Sequence, residues 1–114
     1  MPLIESYSFG RIVIEGHKYS SDVLVYPESV QDAWQRLEGH NLQLEDLEDA
    51  LRHSPDVLVI GTGTFGKMKV TSELRATLEQ KGVKVIVART GQAVRKYNEM
   101  QNEGEVVAAL HLTC

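Results

Sequence analysis

The residue types best suited to chemistry fall in two stretches, the loop Gly61-Thr-Gly63-Thr-Phe-Gly66-Lys67 and the ending His111-Leu-Thr-Cys114. The loop follows Val57–Ile60, an unbroken apolar run of the kind that forms a strand covered on both faces. Glycines at a strand end let the backbone turn sharply and come close to a ligand, and in open α/β sheets the crevice there is where ligands bind. Thr62, Thr64, Lys67 and the loop amides are groups that could hold a small anion. Two nucleotide motifs are nearly met. G-x-G-x-x-G is satisfied, but a dinucleotide site needs a helix that opens within the glycine turn, and Lys67-Met-Lys-Val70 intervenes. The following strand also ends in Ala88-Arg89, without an acid to hold a ribose. G-x-x-x-x-G-K is satisfied too, but Met68 stands where a hydroxyl would ligate magnesium. The plainer reading is that the glycines let the loop pass close to neighbouring backbone.

His111 and Cys114 invite a nucleophilic pair, which needs the imidazole within hydrogen-bond reach of the sulfur. On a strand these two positions face opposite ways. A metal site needs three or four spaced ligands, whereas His17, His40 and His53 are scattered and Cys114 is the one cysteine. No metal and no cofactor is therefore expected. His111 reads as a polar group packed at a strand end, and Cys114 as a free thiol. Glu45, Asp46, Glu48 and Asp49 read as a solvated helix face rather than as paired catalytic carboxylates. Asp22 beside Tyr19, and Trp34 with Arg36, stand out more, because a tryptophan in a polar segment fills a core or an interface.

These residues sit in a chain of 114 amino acids, the length of a single domain spanning 1–114. Its 42% hydrophobic and 25% charged content is that of a globular protein with a real core. A formal net charge of −4 argues against a general nucleic-acid binder. One cysteine allows no internal disulfide, which suits a reducing compartment. With no signal-peptide pattern, no Arg-rich leader and no apolar run near bilayer length, a cytoplasmic protein without a membrane segment is expected.

The elements that must position the candidate residues can be read in order. Phe9–Gly16 and Tyr19–Tyr26 read as an antiparallel hairpin, ended by Pro27. Glu28–Asn41 reads as a loop with a helical turn. Leu44, Leu47 and Leu51 recur at helical spacing up to Pro55. After Val57–Ile60, Thr71 or Ser72 caps a helix through Leu74 and Leu78 that Gly82 ends. Val83–Ala88 is a strand, and Thr90 caps a helix with Ala93, Val94, Tyr97 and Met100 on one face. Val106–Leu112 is the last strand. This alternation predicts an α/β fold: a three-layer single domain, its central mixed sheet joined by crossover helices, with an N-terminal β-hairpin element.

Several segments together resemble a known family: Tyr19-Ser-Ser-Asp22-Val23, Trp34 with Gly39-His40, Val59-Ile-Gly61-Thr-Gly63, Thr90-Gly-Gln-Ala93-Val-Arg-Lys-Tyr97-Asn98 and Val107-Ala-Ala-Leu-His111-Leu-Thr113-Cys114. The chain is similar over essentially its whole length to the small single-domain family that includes the vertebrate adipogenesis-associated protein and a mitochondrial complex I assembly factor. The resemblance implies a three-layer α/β domain with an added β element. It implies no catalytic mechanism, and its better-described members act through other proteins in assembly or regulation. No mitochondrial leader is seen here, so the complex I role is not carried over.

The sequence points first to a non-enzymatic domain that binds a protein partner, with Trp34 and Cys114 on the interaction surface and at most a small anion in the loop. No complete set of nucleophile, base and oxyanion donors is present. The alternative is a small-molecule or anion-binding protein, or a small enzyme, with a pocket at Gly61, Thr62, Gly63, Thr64 and Lys67 joined by Asp22, Arg89, Asn98 and His111. A third reading is a structural subunit of a homo-oligomer.

Overall fold

The computed structural model describes residues 3–114. Its centre is a five-stranded mixed sheet ordered β5-β4-β8-β6-β7, formed by β4 (Val23–Val25), β5 (Val30–Gln31), β6 (Val57–Thr62), β7 (Lys84–Ala88) and β8 (Val106–His111). β6 runs parallel to both β7 and β8, while β4 is antiparallel to β8 and β5 to β4. Alternation along each strand divides the core in two. Val57 and Val59 face a cluster with α3 (Thr90–Glu99), and Leu58 and Ile60 face a cluster with α2 (Ser72–Gln80). That makes the third layer of the predicted α/β domain.

The β element at the amino end is larger than expected. β1 (Ile4–Ser8), β2 (Arg11–Ile14) and β3 (His17–Tyr19) form a separate antiparallel sheet against α3. Glu15 and Gly16, both at positive φ, make the two-residue turn between β2 and β3. The run read as one strand, Tyr19–Tyr26, is broken at Ser20–Asp22: Tyr19 stays in the small sheet and Val23–Val25 joins the central one. The break places the Asp22 carboxylate beside the end of β8, where it accepts from Leu112 N at 2.7 Å.

Glu28–Asn41 holds no helical turn; it contains β5 and then bends, ordered by Trp34 and Asp46. The Leu44–Leu51 helix is a 3-10 turn (Leu44–Leu47) leading into a single α-turn, α1 (Glu48–Arg52). Asp46 departs from the expected solvated face. It is buried, and its carboxylate accepts from Leu37 N at 2.9 Å and Gln43 N at 2.8 Å. The Thr71 cap is as expected, its hydroxyl accepting from Leu74 N at 3.1 Å. Thr90 is not a cap. Arg89 occupies that position, and the Thr90 hydroxyl is spent on the glycine loop.

Candidate functional site

The ends of β6 and β8 bring the glycine loop and the His111–Cys114 segment together. Gly63 has φ +105°, and a Cβ there would stand 2.4 Å from the Cys114 carbonyl carbon and 2.8 Å from His111 Cδ2. Only glycine fits this backbone and this space. The loop is sewn to the terminal segment: Thr64 N donates to Thr113 O at 2.7 Å and Lys67 N to Cys114 O at 2.9 Å. Gly63 N donates to Thr90 Oγ1 at 2.8 Å, and that hydroxyl donates to His111 O at 2.6 Å. Gly66 N and Met68 N also donate within the loop, to Gly63 O and Thr62 O. The amides that would cradle an anion thus have protein acceptors at five of six positions from Gly63 to Met68.

Behind the loop lies a charged cluster. Asp22 Oδ2 accepts from Arg36 Nη1 at 2.6 Å and lies 2.8 Å from His111 Nδ1. The carboxylate can only accept and calls for a proton on Nδ1, whereas Arg36 Nη2, 3.1 Å from the same nitrogen, can only donate and calls for its lone pair, so the two contacts make opposite demands on the ring. Nε2 is buried and has no hydrogen-bond partner among the described residues. Burial pushes the Asp22 carboxyl pKa up, but hydrogen bonds from His111, Leu112 N and Arg36 outweigh it and hold the pKa below the ordinary value of 3.8. Arg36 also donates from Nε and Nη2 to Gly39 O, and its guanidinium lies 5.0 Å from the Trp34 ring centroid. The His40 ring meets His111 edge-on at 5.8 Å.

A carboxylate hydrogen-bonded to an imidazole is the arrangement that orients a general base, but here Arg36 Nη2 competes for the same ring nitrogen. Here no hydroxyl or thiol of the described residues bonds to Nε2, so the pair holds no preassembled nucleophile. No group of three or more His, Cys, Asp or Glu side chains able to hold a metal occurs among the described residues.

A family model described as a protein of unknown function (DUF498/DUF598) matches residues 4–111. The chain belongs to that family. This DUF498/DUF598 domain is similar to the conserved hypothetical protein PH1505 from Pyrococcus horikoshii OT3, at 28% identity and a TM-score of 0.84 over 97% of this chain and 98% of that one. It is also similar to a Bartonella henselae protein described as an outer membrane protein, at 25% identity and a TM-score of 0.81 over 99% and 96% of the two chains. A Bordetella pertussis protein described as an Mth938-like domain shares the fold at 21% identity and a TM-score of 0.68, over 97% of this chain and 85% of that one. No helix of the described residues is long and apolar enough to cross a membrane.

Within this DUF498/DUF598 domain, the residues singled out from sequence separate into groups. Gly61, Gly63, Thr64, His111 and Cys114 are drawn together by the contacts above, and Gly61 packs so closely that a Cβ would lie 2.8 Å from Thr90 Oγ1. Thr62 is buried and donates to Ala88 O at 3.2 Å. Thr64 Oγ1 bonds to Tyr7 OH, linking the loop to β1. Lys67 is exposed, and Arg89 stands beside Gly66. Asn98 does not join them; its amide pairs with both Ile4 N and Ile4 O and pins β1 to α3. Trp34 is core rather than surface, 6% exposed, with Nε1 donating to Asp46 O. Cys114 is half-buried and free.

The sequence reading passed over Phe9 and Phe65. Phe9 lies in the β1–β2 turn, which Gly10 N anchors to Leu112 O at 2.8 Å. Phe65 is in the glycine loop. The two rings stand 6.1 Å apart, 56% and 59% exposed. A signal was present: both are aromatics next to glycine in turns, where no core face explains them.

Proposed function

We propose that this domain is a non-catalytic protein-recognition module whose contact surface is the rim formed by Phe9 and Phe65 around the glycine loop. The observation that carries this reading is the exposed aromatic pair itself, contributed by two separate turns and held in place by the bonds from Gly10 N to Leu112 O and from Thr64 N to Thr113 O. Rigid exposed aromatics add contact area at low entropic cost and are enriched at interfaces. The resemblance to the family of the adipogenesis-associated protein and the complex I assembly factor, whose better-described members act through other proteins in assembly or regulation, supports the same reading. A cytoplasmic setting belongs to it, on the strength of the single cysteine.

The test is photo-crosslinking from position 65 in native lysate, repeated with Phe9→Ser. A discrete cross-linked protein, lost in the variant while the melting temperature holds, is the expected result. Absence of any discrete product sinks the reading.

One observation favours a second reading, a small-molecule or anion site: the unpartnered Nε2 of His111 beside Gly63. A thermal-shift screen against phosphates, nucleotides, organic acids and metals separates the two. A shift abolished by His111→Gln or Lys67→Ala would move the assignment to the ligand site.

A further inference from the structure

The chain is acidic overall, yet one continuous stretch is strongly basic. From Arg75 to Lys96 it carries six of the 12 Lys and Arg residues, Arg75, Lys81, Lys84, Arg89, Arg95 and Lys96, against one acid, Glu79. This surplus of five positive charges sits in a chain of formal net charge −4. All six cations are exposed, and they belong to α2, β7, α3 and their connections.

The strand at the middle of this stretch is the open edge of the central sheet. Among the described residues, β7 pairs with β6 on one side and with no strand on the other. The opposite edge is the two-residue β5, whereas β7 has five residues, Lys84-Val-Ile-Val-Ala88. Ile86, Val87 and Ala88 are only half-buried. A groove of ≈ 400 Å³ runs beside them, floored by Ile86 and Ala88 and walled by Gln92, Arg95, Lys96 and one acid, Glu99, of α3. On the α2 side, Arg75, whose Nε lies 3.8 Å from Glu79, donates from Nη2 to Val85 O at 3.1 Å, so an added strand must displace this side chain from that carbonyl. An apolar edge strand of this length is a template for main-chain pairing, and strand addition draws its affinity from those bonds and its selectivity from alternate side chains.

We infer that the β7 edge is the docking strip for an extended acidic segment of a protein partner, which adds to the sheet as a sixth strand. Carboxylates on the α3-facing side of the segment would meet Lys84, Arg95 and Lys96 around the Ile86–Ala88 floor, and apolar side chains on its other face would cover Val87. The inference rests on the protein-binding reading above but uses a different face from the Phe9–Phe65 rim. Like charge around the strip disfavours two copies of this chain pairing edge to edge through it. The edge geometry, with an apolar floor between its cations, favours an extended peptide over a nucleic acid.

The experiment is amide NMR of the full chain titrated with a heptapeptide in which Glu and Val alternate. Shifts should concentrate on residues 84–88, affinity should fall as salt rises, and Arg95→Glu with Lys96→Glu should weaken binding by about ten-fold or more. The same heptapeptide N-methylated at alternate residues keeps its charge but loses main-chain donors, and it should not bind. The inference is overturned if no shifts appear at β7, if the N-methylated or a Lys–Val heptapeptide binds equally well, or if oligothymidylate binds more tightly at the same salt. Phe9→Ser with Phe65→Ser should leave heptapeptide binding unchanged. Loss of the heptapeptide result alongside intact cross-linking from position 65 removes this inference only.

Discussion

Asp22 Oδ2 lies 2.8 Å from His111 Nδ1, across 89 residues of chain, and the same oxygen receives Arg36 Nη1 at 2.6 Å. One carboxylate thus ties the break between the two sheets to the end of β8 and to the segment that carries Trp34. Asp22→Asn keeps the shape and removes the charge, leaving the guanidinium of a side chain only 6% exposed without its partner. The expected loss of stability near neutral pH is about 3 kcal/mol, read by urea denaturation. The Asp22 pKa is depressed in the folded state, so its contribution is present above the unfolded value of 3.8 and disappears as pH falls through the lower folded value. The gap between wild type and variant should therefore close in acid. A gap that is constant from pH 7 down to the acid transition would contradict the assignment of charge to Asp22.

Gly63→Ala should be severe. Its Cβ would meet backbone at 2.4 Å with φ at +105°, and the expected cost is about 3 kcal/mol or more. Gly16→Ala is the control, because it has φ +78° and nothing within 4 Å, and about 1 kcal/mol is expected from conformation alone. Equal losses for the two would show that the close approach to Cys114 and His111 does not matter.

Thr90 is fully buried, and its hydroxyl serves as both acceptor and donor, between Gly63 N and His111 O. Thr90→Val preserves volume and strands both partners, at a cost of about 2 kcal/mol or more. Thr90→Ser should recover most of it. Similar melting temperatures for the two variants would remove the hydroxyl from the account.

Tyr97 makes the opposite case. Its phenol is buried without a hydrogen-bond partner among the described residues, and burial, with Glu15 nearby, pushes its pKa up to about 12. Tyr97→Phe should leave stability unchanged or raise it by about 1 kcal/mol. Because the folded pKa is raised, wild type should lose stability as pH climbs from 10 towards 12, and the variant should not share that part of the alkaline decline. Destabilisation at neutral pH would reveal a partner for the hydroxyl.

What could be read from sequence followed local physics. The continuous apolar runs of β6 and β8, the Thr71 cap and the Ala93–Val94–Tyr97–Met100 face are each specified within a few residues. What escaped depended on partners distant in the chain. Nothing near Ser20–Asp22 says that one extended run divides between two sheets, because both halves have strand character. Asp46 looks like its acidic neighbours until Leu37 N and Gln43 N claim its carboxylate. Thr90 satisfies the pattern of a helix cap, but its hydroxyl is taken by Gly63 N and His111 O, with Gly63 27 residues away. The glycines follow the apolar run directly, with Gly61 and Thr62 still in β6, whereas the consumption of the following amides by Thr113 and Cys114 required the return of β8 alongside.

Because the central sheet is a partition, the two sides of the molecule carry different chromophores. Trp34 is the single tryptophan, packed in the cluster on the α2 side, while Tyr7, Tyr19 and Tyr97 pack in the cluster on the α3 side. Indole emission therefore watches one compartment, and most tyrosine near-ultraviolet dichroism watches the other. If the hairpin sheet and α3 detach first, the dichroic signal collapses while tryptophan fluorescence stays native; a cooperative transition moves both together. The protein carries its own two-channel optical readout of whether its halves unfold as one.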